Sequence, residues 1–317
     1  MISSLFLLFG LGLLYIGAQV LIKGGVGLAF RFGLSALVVG LTVIAYGTSS
    51  PEMVVSIKAS LDGTGALAVG NVIGSNICNI GLILGLCALV SPLAATAQVI
   101  RREIPILIGV SVLLVIVLWD GSLGRIDGVV LLAGLLIYTW LTLRQARAET
   151  STEAGQEYDQ DFHRGQPSLG RSITLVLIGF AGLIAGSHLF VTGAVDLAKT
   201  WGASDAVIGL TVVAFGTSLP ELATSLVAAI RRHGDVAIGS IVGSNIFNVL
   251  GILSVAALLQ PIDTSEISRL DLGVMLVTAV ALLPLAHSGG RINRIEGAAL
   301  LSVYIGYTAW LVSQVGS

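Results

Sequence analysis

The nonapeptide AYGTSSPEM, Ala45 to Met53, lies inside an apolar stretch long enough to cross a bilayer. It nevertheless holds a glutamate (Glu52), a proline (Pro51) and three hydroxyls (Thr48, Ser49, Ser50), each of which weakens a lipid-facing helix. The combination recurs as AFGTSLPEL, Ala214 to Leu222. Working outward from these two copies, a constant offset of 169 registers Gly40–Leu86 on Gly209–Val255 without a gap, with close to half of the positions identical. The same offset carries Ile126-Asp127-Gly128 onto Ile295-Glu296-Gly297 and Leu28-Ala29 onto Leu197-Ala198. One offset maintained along the chain means that a whole unit is duplicated, rather than a short motif.

Composition places that unit in a membrane. Of 317 residues, 55% are hydrophobic and only 11% charged, against about 25% charged in soluble domains. Ten apolar segments follow one another, at about 3–22, 36–58, 66–90, 103–119, 127–143, 171–191, 205–229, 236–258, 270–286 and 296–314. A soluble protein with a very large core is excluded by this pattern, and a net charge of −2 gives no basic field for nucleic acid. Cys78 and Cys87 share one apolar segment and read as small buried residues. Leu5–Ile22 lacks the basic flank of a signal peptide and opens a segment with a later counterpart, so it is expected to be a true helix.

Five crossings per unit is an odd number, so the second unit enters the membrane inverted. The expected fold is an all-α integral membrane protein of ten transmembrane helices in two inverted five-helix repeats, 1–143 and 171–317, joined by a polar loop at 144–170. With the N-terminus on one side, that side receives four basic residues: Lys58, Arg125, Lys199 and Arg269. The other side receives the remaining twelve. The positive-inside rule then puts both termini outside and the 144–170 loop in the cytoplasm, in a cytoplasmic (inner) membrane.

Each half carries two polar clusters: Gly47-Thr48-Ser49-Ser50-Pro51-Glu52 with Gly74-Ser75-Asn76-Ile77-Cys78-Asn79, and Gly216-Thr217-Ser218-Leu219-Pro220-Glu221 with Gly243-Ser244-Asn245-Ile246-Phe247-Asn248. An ionised side chain at a membrane-helix centre costs roughly 2.5–3.5 kcal/mol, so two glutamates cost about 5–7 kcal/mol unless something settles the charge. No Lys or Arg lies at matching depth, and Lys58 sits at a helix end where it can snorkel. Protonation or a bound cation remains.

The spacing favours a cation. Thr48 and Ser49 lie four and three residues before Glu52, on its helix face. Pro51 disturbs the carbonyl of Gly47, so the helix is expected to break and expose backbone oxygens. Carboxylate, hydroxyl, amide and carbonyl oxygens are hard ligands that suit Ca²⁺ and Na⁺, and the repeated set contains no His, Cys or Met for softer metals. Plainer roles exist for several of these residues. The glycines serve close helix packing, Thr48 and Thr217 can satisfy their own helix carbonyls, and Asn76 and Asn245 can bridge helices. Gln19 and its counterpart His188 lie near segment ends and are left out of the site.

GTSSPE and GTSLPE, each followed by GSNI and an asparagine, resemble the alpha-repeats of the cation/calcium antiporter superfamily, and among its branches the prokaryotic sodium/calcium exchangers. The resemblance implies exchange of Ca²⁺ for Na⁺ by alternating access, with segments 3–22 and 171–191 sliding against a central core. Carried across by motif, it implies an ion site of Glu52 and Glu221, the hydroxyls of Thr48, Ser49, Thr217, Ser218, Ser75 and Ser244, the carbonyls of Ala45 and Ala214, and the amide of Asn79. Asn248 completes the set, where typical sodium/calcium exchangers carry Asp. Two formal carboxylates neutralise one Ca²⁺, whereas three Na⁺ leave about one charge uncompensated. Exchange against H⁺, of Ca²⁺ or another divalent cation, is therefore the alternative. The proton-coupled branch resembles this site in its amides but normally lacks the threonine-serine-proline run.

The resemblance implies no enzyme activity, no cofactor and no obligate protein partner; the transported ions and the lipid bilayer are the implied partners. An intramembrane hydrolase is disfavoured because neither His nor Lys stands beside the serines in both halves. A passive cation channel is distinguished from coupled exchange by single-channel currents.

Overall fold

The computed structural model describes residues 2–149, 168–200 and 214–315. They form helices α1 (Ile2–Phe32), α2 (Ala36–Thr48), α3 (Ser50–Leu61), α4 (Gly65–Val90), α5 (Val99–Asp120), α6 (Arg125–Glu149), α7 (Leu169–Thr200), α8 (Ala214–Thr217), α9 (Leu219–Ile230), α10 (Gly234–Leu259), α11 (Arg269–His287) and α12 (Arg294–Val315). Among the described residues eight helices are long and apolar enough to cross a membrane, and α2 with α3, bent by 45° at Ser49, makes a ninth. The segment expected at 205–229 is described only from Ala214 onward, as α8 and α9.

Burial sorts the helices by role. In their most apolar windows α4 is 78% buried and α10 89%, against 11% for α12 and 22% for α6. The two helices that carry the asparagine clusters are thus the centre, and their surroundings are the lipid-facing shell. Ile73, Ile77, Ile80 and Leu84 of α4 meet Ile241, Ile246 and Leu250 of α10 in one apolar core. Gly243 lets α2 pass over α10, since a Cβ there would stand 2.5 Å from the carbonyl oxygen of Leu41.

α1 and α7 pack along most of their lengths. Glycines seven residues apart line the seam on both: Gly10, Gly17 and Gly24 against Gly179, Gly186 and Gly193. A Cβ at Gly179 would lie 2.6 Å from the Leu21 nitrogen. Both helices outrun the apolar segments expected at 3–22 and 171–191. Lys23-Gly24-Gly25 ends the apolar run in sequence, but Gly24 is itself a close contact with α7, 2.7 Å from the Val176 nitrogen for an added Cβ. The seam, not the lipid, sets the length. At 1.5 Å per residue α1 spans roughly 46 Å, more than the ~30 Å hydrocarbon layer, so it is tilted or projects beyond it.

Three further boundaries differ from the sequence expectation. α5 starts at Val99 rather than 103, in a wide π-type turn over Val99–Glu103. Glu103 is fully buried there. It accepts from Tyr138 Oη at 3.1 Å and from Gln98 Nε2 at 3.3 Å, with Arg102 Nη1 at 3.7 Å. α6 begins at Arg125 and continues to Glu149, past the expected end at 143. The rest of the expected loop, up to 167, lies outside the described residues.

The helices are supplemented by four two-residue strands, which an all-α expectation did not contain. β1 (Leu93–Ala94) pairs antiparallel with β4 (Arg291–Ile292), and β2 (Ser122–Leu123) with β3 (Ile262–Asp263). The offset of 169 carries β1 to β3 and β2 to β4, so exchanging the halves turns one pairing into the other. Each pair ties a loop of one half to a loop of the other.

The glycine seam yields the first prediction. Gly179→Val should overpack α1 against α7 and cost about 1–3 kcal/mol, seen as a lower melting temperature in detergent. An unchanged melting temperature would contradict the close approach.

Candidate ion-binding site

The two PE motifs break their helices in the same way. Pro51 and Pro220 occupy the first turn of α3 and α9, and the preceding Ser49 and Ser218 have ψ of 9° and 6°, outside the helical range. The freed carbonyls are satisfied differently in the two halves. Gly47 O accepts from Ser50 Oγ of the same segment at 2.7 Å. Leu219 replaces that serine in the second half, and Gly216 O accepts instead from Ser187 Oγ of α7, at 2.6 Å.

The breaks turn each glutamate toward the other half. Ser49 Oγ donates to Glu221 Oε1 at 2.8 Å, and Ser218 Oγ donates to Glu52 Oε1 at 3.0 Å. Both glutamates are 1% exposed. In each, Oε2 is buried and has no hydrogen-bond partner among the described residues. The ion pairs found there, Lys58–Asp62 and Arg102–Glu103, involve neither glutamate. Thr217 adds a contact to Glu52 and Thr48 one to Glu221, again across the halves.

α4 and α10 deliver the amides. Each changes from α-helix to a wider π-type turn at its second asparagine, over Asn79–Leu84 and Asn248–Ile252. Such turns are frequent at functional sites. Asn79 Nδ2 donates to Asn245 Oδ1 at 2.9 Å and Asn248 Nδ2 to Asn76 Oδ1 at 3.0 Å. Asn79 Oδ1 and Asn248 Oδ1 are buried without a partner among the described residues. Four unsatisfied oxygens, two carboxylate and two amide, therefore sit on α3, α4, α9 and α10, four elements packed on one another. Leaving one such oxygen without a partner costs about 1–3 kcal/mol, and oxygens of this kind are hard ligands that suit a cation.

The remaining expected residues surround this set. Thr48 Oγ1 donates to Ile44 O at 3.0 Å and to Ala45 O at 3.3 Å, and Ser244 Oγ reaches the same Ala45 carbonyl at 3.3 Å. Thr48 thus takes the plainer role of bonding its own helix while still touching Glu221. Ser75 is buried on α4, where its carbonyl accepts from the Asn79 backbone N–H, and Ala214 opens α8. Gln19 accepts from Arg231, a bridge between α1 and the end of α9, away from the glutamates. Ser187 was not anticipated. Its signal was present as a mismatch between the halves: serine against Ala18 on α1, where Leu219 has replaced Ser50.

Comparison with known proteins bears on this geometry directly. The family model described as sodium/calcium exchanger protein matches residues 2–144 and again 171–313.

The chain belongs to the sodium/calcium exchanger family.

CaxA of Alkalimonas amylolytica is 40% identical over 99% of this chain and 100% of its own. The sodium/calcium exchanger MaX1 of Methanosarcina acetivorans is 29% identical over 96% of this chain and 97% of its own. A solved structure of the sodium-calcium exchanger NCX_Mj, soaked with zero Na⁺ and Ca²⁺, superposes with a TM-score of 0.84 at 35% identity, covering 98% of this chain and 99% of that one. The exchanger family is one of transporters.

Ionised carboxylates buried without a compensating cation would oppose folding. Glu52→Gln and Glu221→Gln should therefore each raise the melting temperature in cation-free detergent solution, the sign expected when a charge costing roughly 2.5–3.5 kcal/mol is removed from a membrane interior. A fall would mean that the carboxylates are already compensated within the protein.

Proposed function

We propose that the protein is a secondary active antiporter that exchanges Ca²⁺ for Na⁺ across the cytoplasmic membrane by alternating access. The observation that carries this reading is the set of four buried, unpartnered oxygens of Glu52, Glu221, Asn79 and Asn248. Two carboxylates neutralise one Ca²⁺, and Ca²⁺ takes 6–8 oxygens. The outer donors are Thr48, Ser49, Thr217, Ser218, Ser75 and Ser244 with the carbonyls of Ala45 and Ala214. Na⁺ competes for the same carboxylates. Either ion settles their charge and permits the switch, while the empty, doubly charged site resists it.

The scaffold of this proposal is ten crossings in two inverted repeats, 1–143 and 171–317, with the 144–170 loop cytoplasmic and both termini outside. The twofold match of the family model and the exchange of the β1–β4 and β2–β3 pairings under one offset support it. In the cycle α1 and α7 slide as a pair against the core. Their glycine seam holds them together, and Ser187 links α7 to the break at Gly216. Loss of that link in Ser187→Ala should leave Ca²⁺ affinity within about threefold of wild type while changing the maximal exchange rate, since a neutral hydrogen bond contributes about 1 kcal/mol. Unchanged exchange rates would remove Ser187 from the cycle.

Asn248 motivates a second reading. With Asn in place of Asp the site holds two formal carboxylates, so exchange of Ca²⁺ or another divalent cation against H⁺ needs no third charge. The test uses purified protein in lipid vesicles, with Ca²⁺ followed by an enclosed dye under an outward Na⁺ gradient or an outward H⁺ gradient. The expected result is uptake driven by Na⁺, abolished in Glu52→Gln. Uptake with the H⁺ gradient alone would establish the second reading, and uptake with neither would overturn antiport of Ca²⁺.

A further inference from the structure

Asn76 and Asn245 face each other across the contact of α4 and α10, and neither is turned into the ion site with its amide oxygen free. Asn76 Nδ2 donates to the backbone carbonyl of Asn245 at 3.2 Å, and Asn245 Nδ2 donates to the backbone carbonyl of Asn76 at 3.4 Å. The side-chain oxygens of the same two residues accept from Asn248 and Asn79. The four amides form a closed network that maps onto itself under the offset of 169.

The direction of every bond in this network is determined by its two backbone carbonyls. A carbonyl oxygen can only accept, so the Asn76 and Asn245 side chains must turn their NH₂ groups toward those carbonyls. Rotating either amide would set two oxygens against each other. With the NH₂ groups committed, Oδ1 of Asn76 and Oδ1 of Asn245 face Asn248 and Asn79. Those amides must in turn present NH₂ to them and Oδ1 to the opposite side. The orientation of Asn79 and Asn248 thus follows from chemistry and not from a choice between two amide rotamers.

We propose that Asn76 and Asn245 are positioning residues that polarise the ion site, forcing Asn79 and Asn248 to offer only oxygen to the cation. The inference rests on the reading of Glu52 and Glu221 as the carboxylates of that site. Without the two outer asparagines, the amides of Asn79 and Asn248 are free to rotate and hold NH₂ toward the cation. Two ligands then become two repulsive dipoles. The network also explains why the second half retains a full ligand with Asn248: a locked amide supplies an oxygen without charge. Asn76 and Asn245 act through Asn248 and Asn79 respectively, so each effect should vanish when its target is absent.

The experiment is equilibrium binding of radioactive Ca²⁺ to the full chain purified in detergent, with Asn76→Ala, Asn248→Ala and the double variant forming one cycle. Asn245→Ala, Asn79→Ala and their double variant form its internal replicate. Asn76→Ala should weaken Ca²⁺ binding about tenfold in the wild-type background, the scale of a lost bond to a charged group, and less than about twofold in the Asn248→Ala background. Asn76→Leu, similar in shape and unable to accept, is carried in parallel with melting temperature as the folding control, and should show the same loss. Equal factors in both backgrounds, or no loss in folded Asn76→Leu, would overturn the proposal. Absence of saturable Ca²⁺ binding in the wild type would instead overturn the reading of the site on which it rests.

Discussion

Glu52 and Glu221 each hold one carboxylate oxygen buried in the molecule, and among the described residues that oxygen has no hydrogen-bond partner and no Lys or Arg pairs with either glutamate. In a membrane interior such charge is expensive, and the rest of the structure is organised around it. The helix breaks before Pro51 and Pro220 put the glutamates at the first turn of a new helix, where the exposed N–H groups and the dipole favour negative charge. The serines at the breaks cross to the opposite glutamate and fix one oxygen of each. The other oxygen of each is buried without a hydrogen-bond partner among the described residues.

The crossing of the halves has a mechanical consequence. Neither half completes a carboxylate on its own: Ser49 serves Glu221, and Ser218 serves Glu52. The same interdependence appears in the asparagines of α4 and α10 and in the two strand pairs. The core is therefore stitched at its centre and at its loops, and in the proposed cycle it moves as one body. The long pair α1–α7 meets it through different contacts, among them the Ser187–Gly216 bond on one side and Arg231–Gln19 on the other. That division, a stitched core and a separately held pair, is what sliding requires.

Much of this was legible in the sequence because duplication amplifies weak signals. One GTSSPE in an apolar stretch is a curiosity, whereas two at a constant offset with GSNI and an asparagine behind each identify the carboxylates, hydroxyls and amides and the family to which they belong. Features that depend on packing were not legible. The extension of α1 and α7 past Lys23 and Val191 rests on glycine contacts between helices far apart in sequence. The burial of Glu103 depends on Tyr138 and Gln98 arriving to satisfy it. The strand pairs join loops whose sequences carry no strand signal. Ser187 was hidden for a different reason: it lies where the halves differ, and attention to the repeat favours what they share. Asn76 and Asn245 were visible as helix-bridging residues, but their control over the neighbouring amides emerges only from the direction of the hydrogen bonds.

In the proposed site the unpartnered oxygens of Glu52, Glu221, Asn79 and Asn248 together hold one divalent cation. Anomalous diffraction from crystals of the protein grown with Ca²⁺ tests it most directly. One principal Ca²⁺ peak is expected, lying within about 2.3–2.6 Å of Oε2 of both glutamates and absent from crystals of Glu52→Gln. A principal peak elsewhere on the molecule, or an unchanged peak in Glu52→Gln, would contradict it.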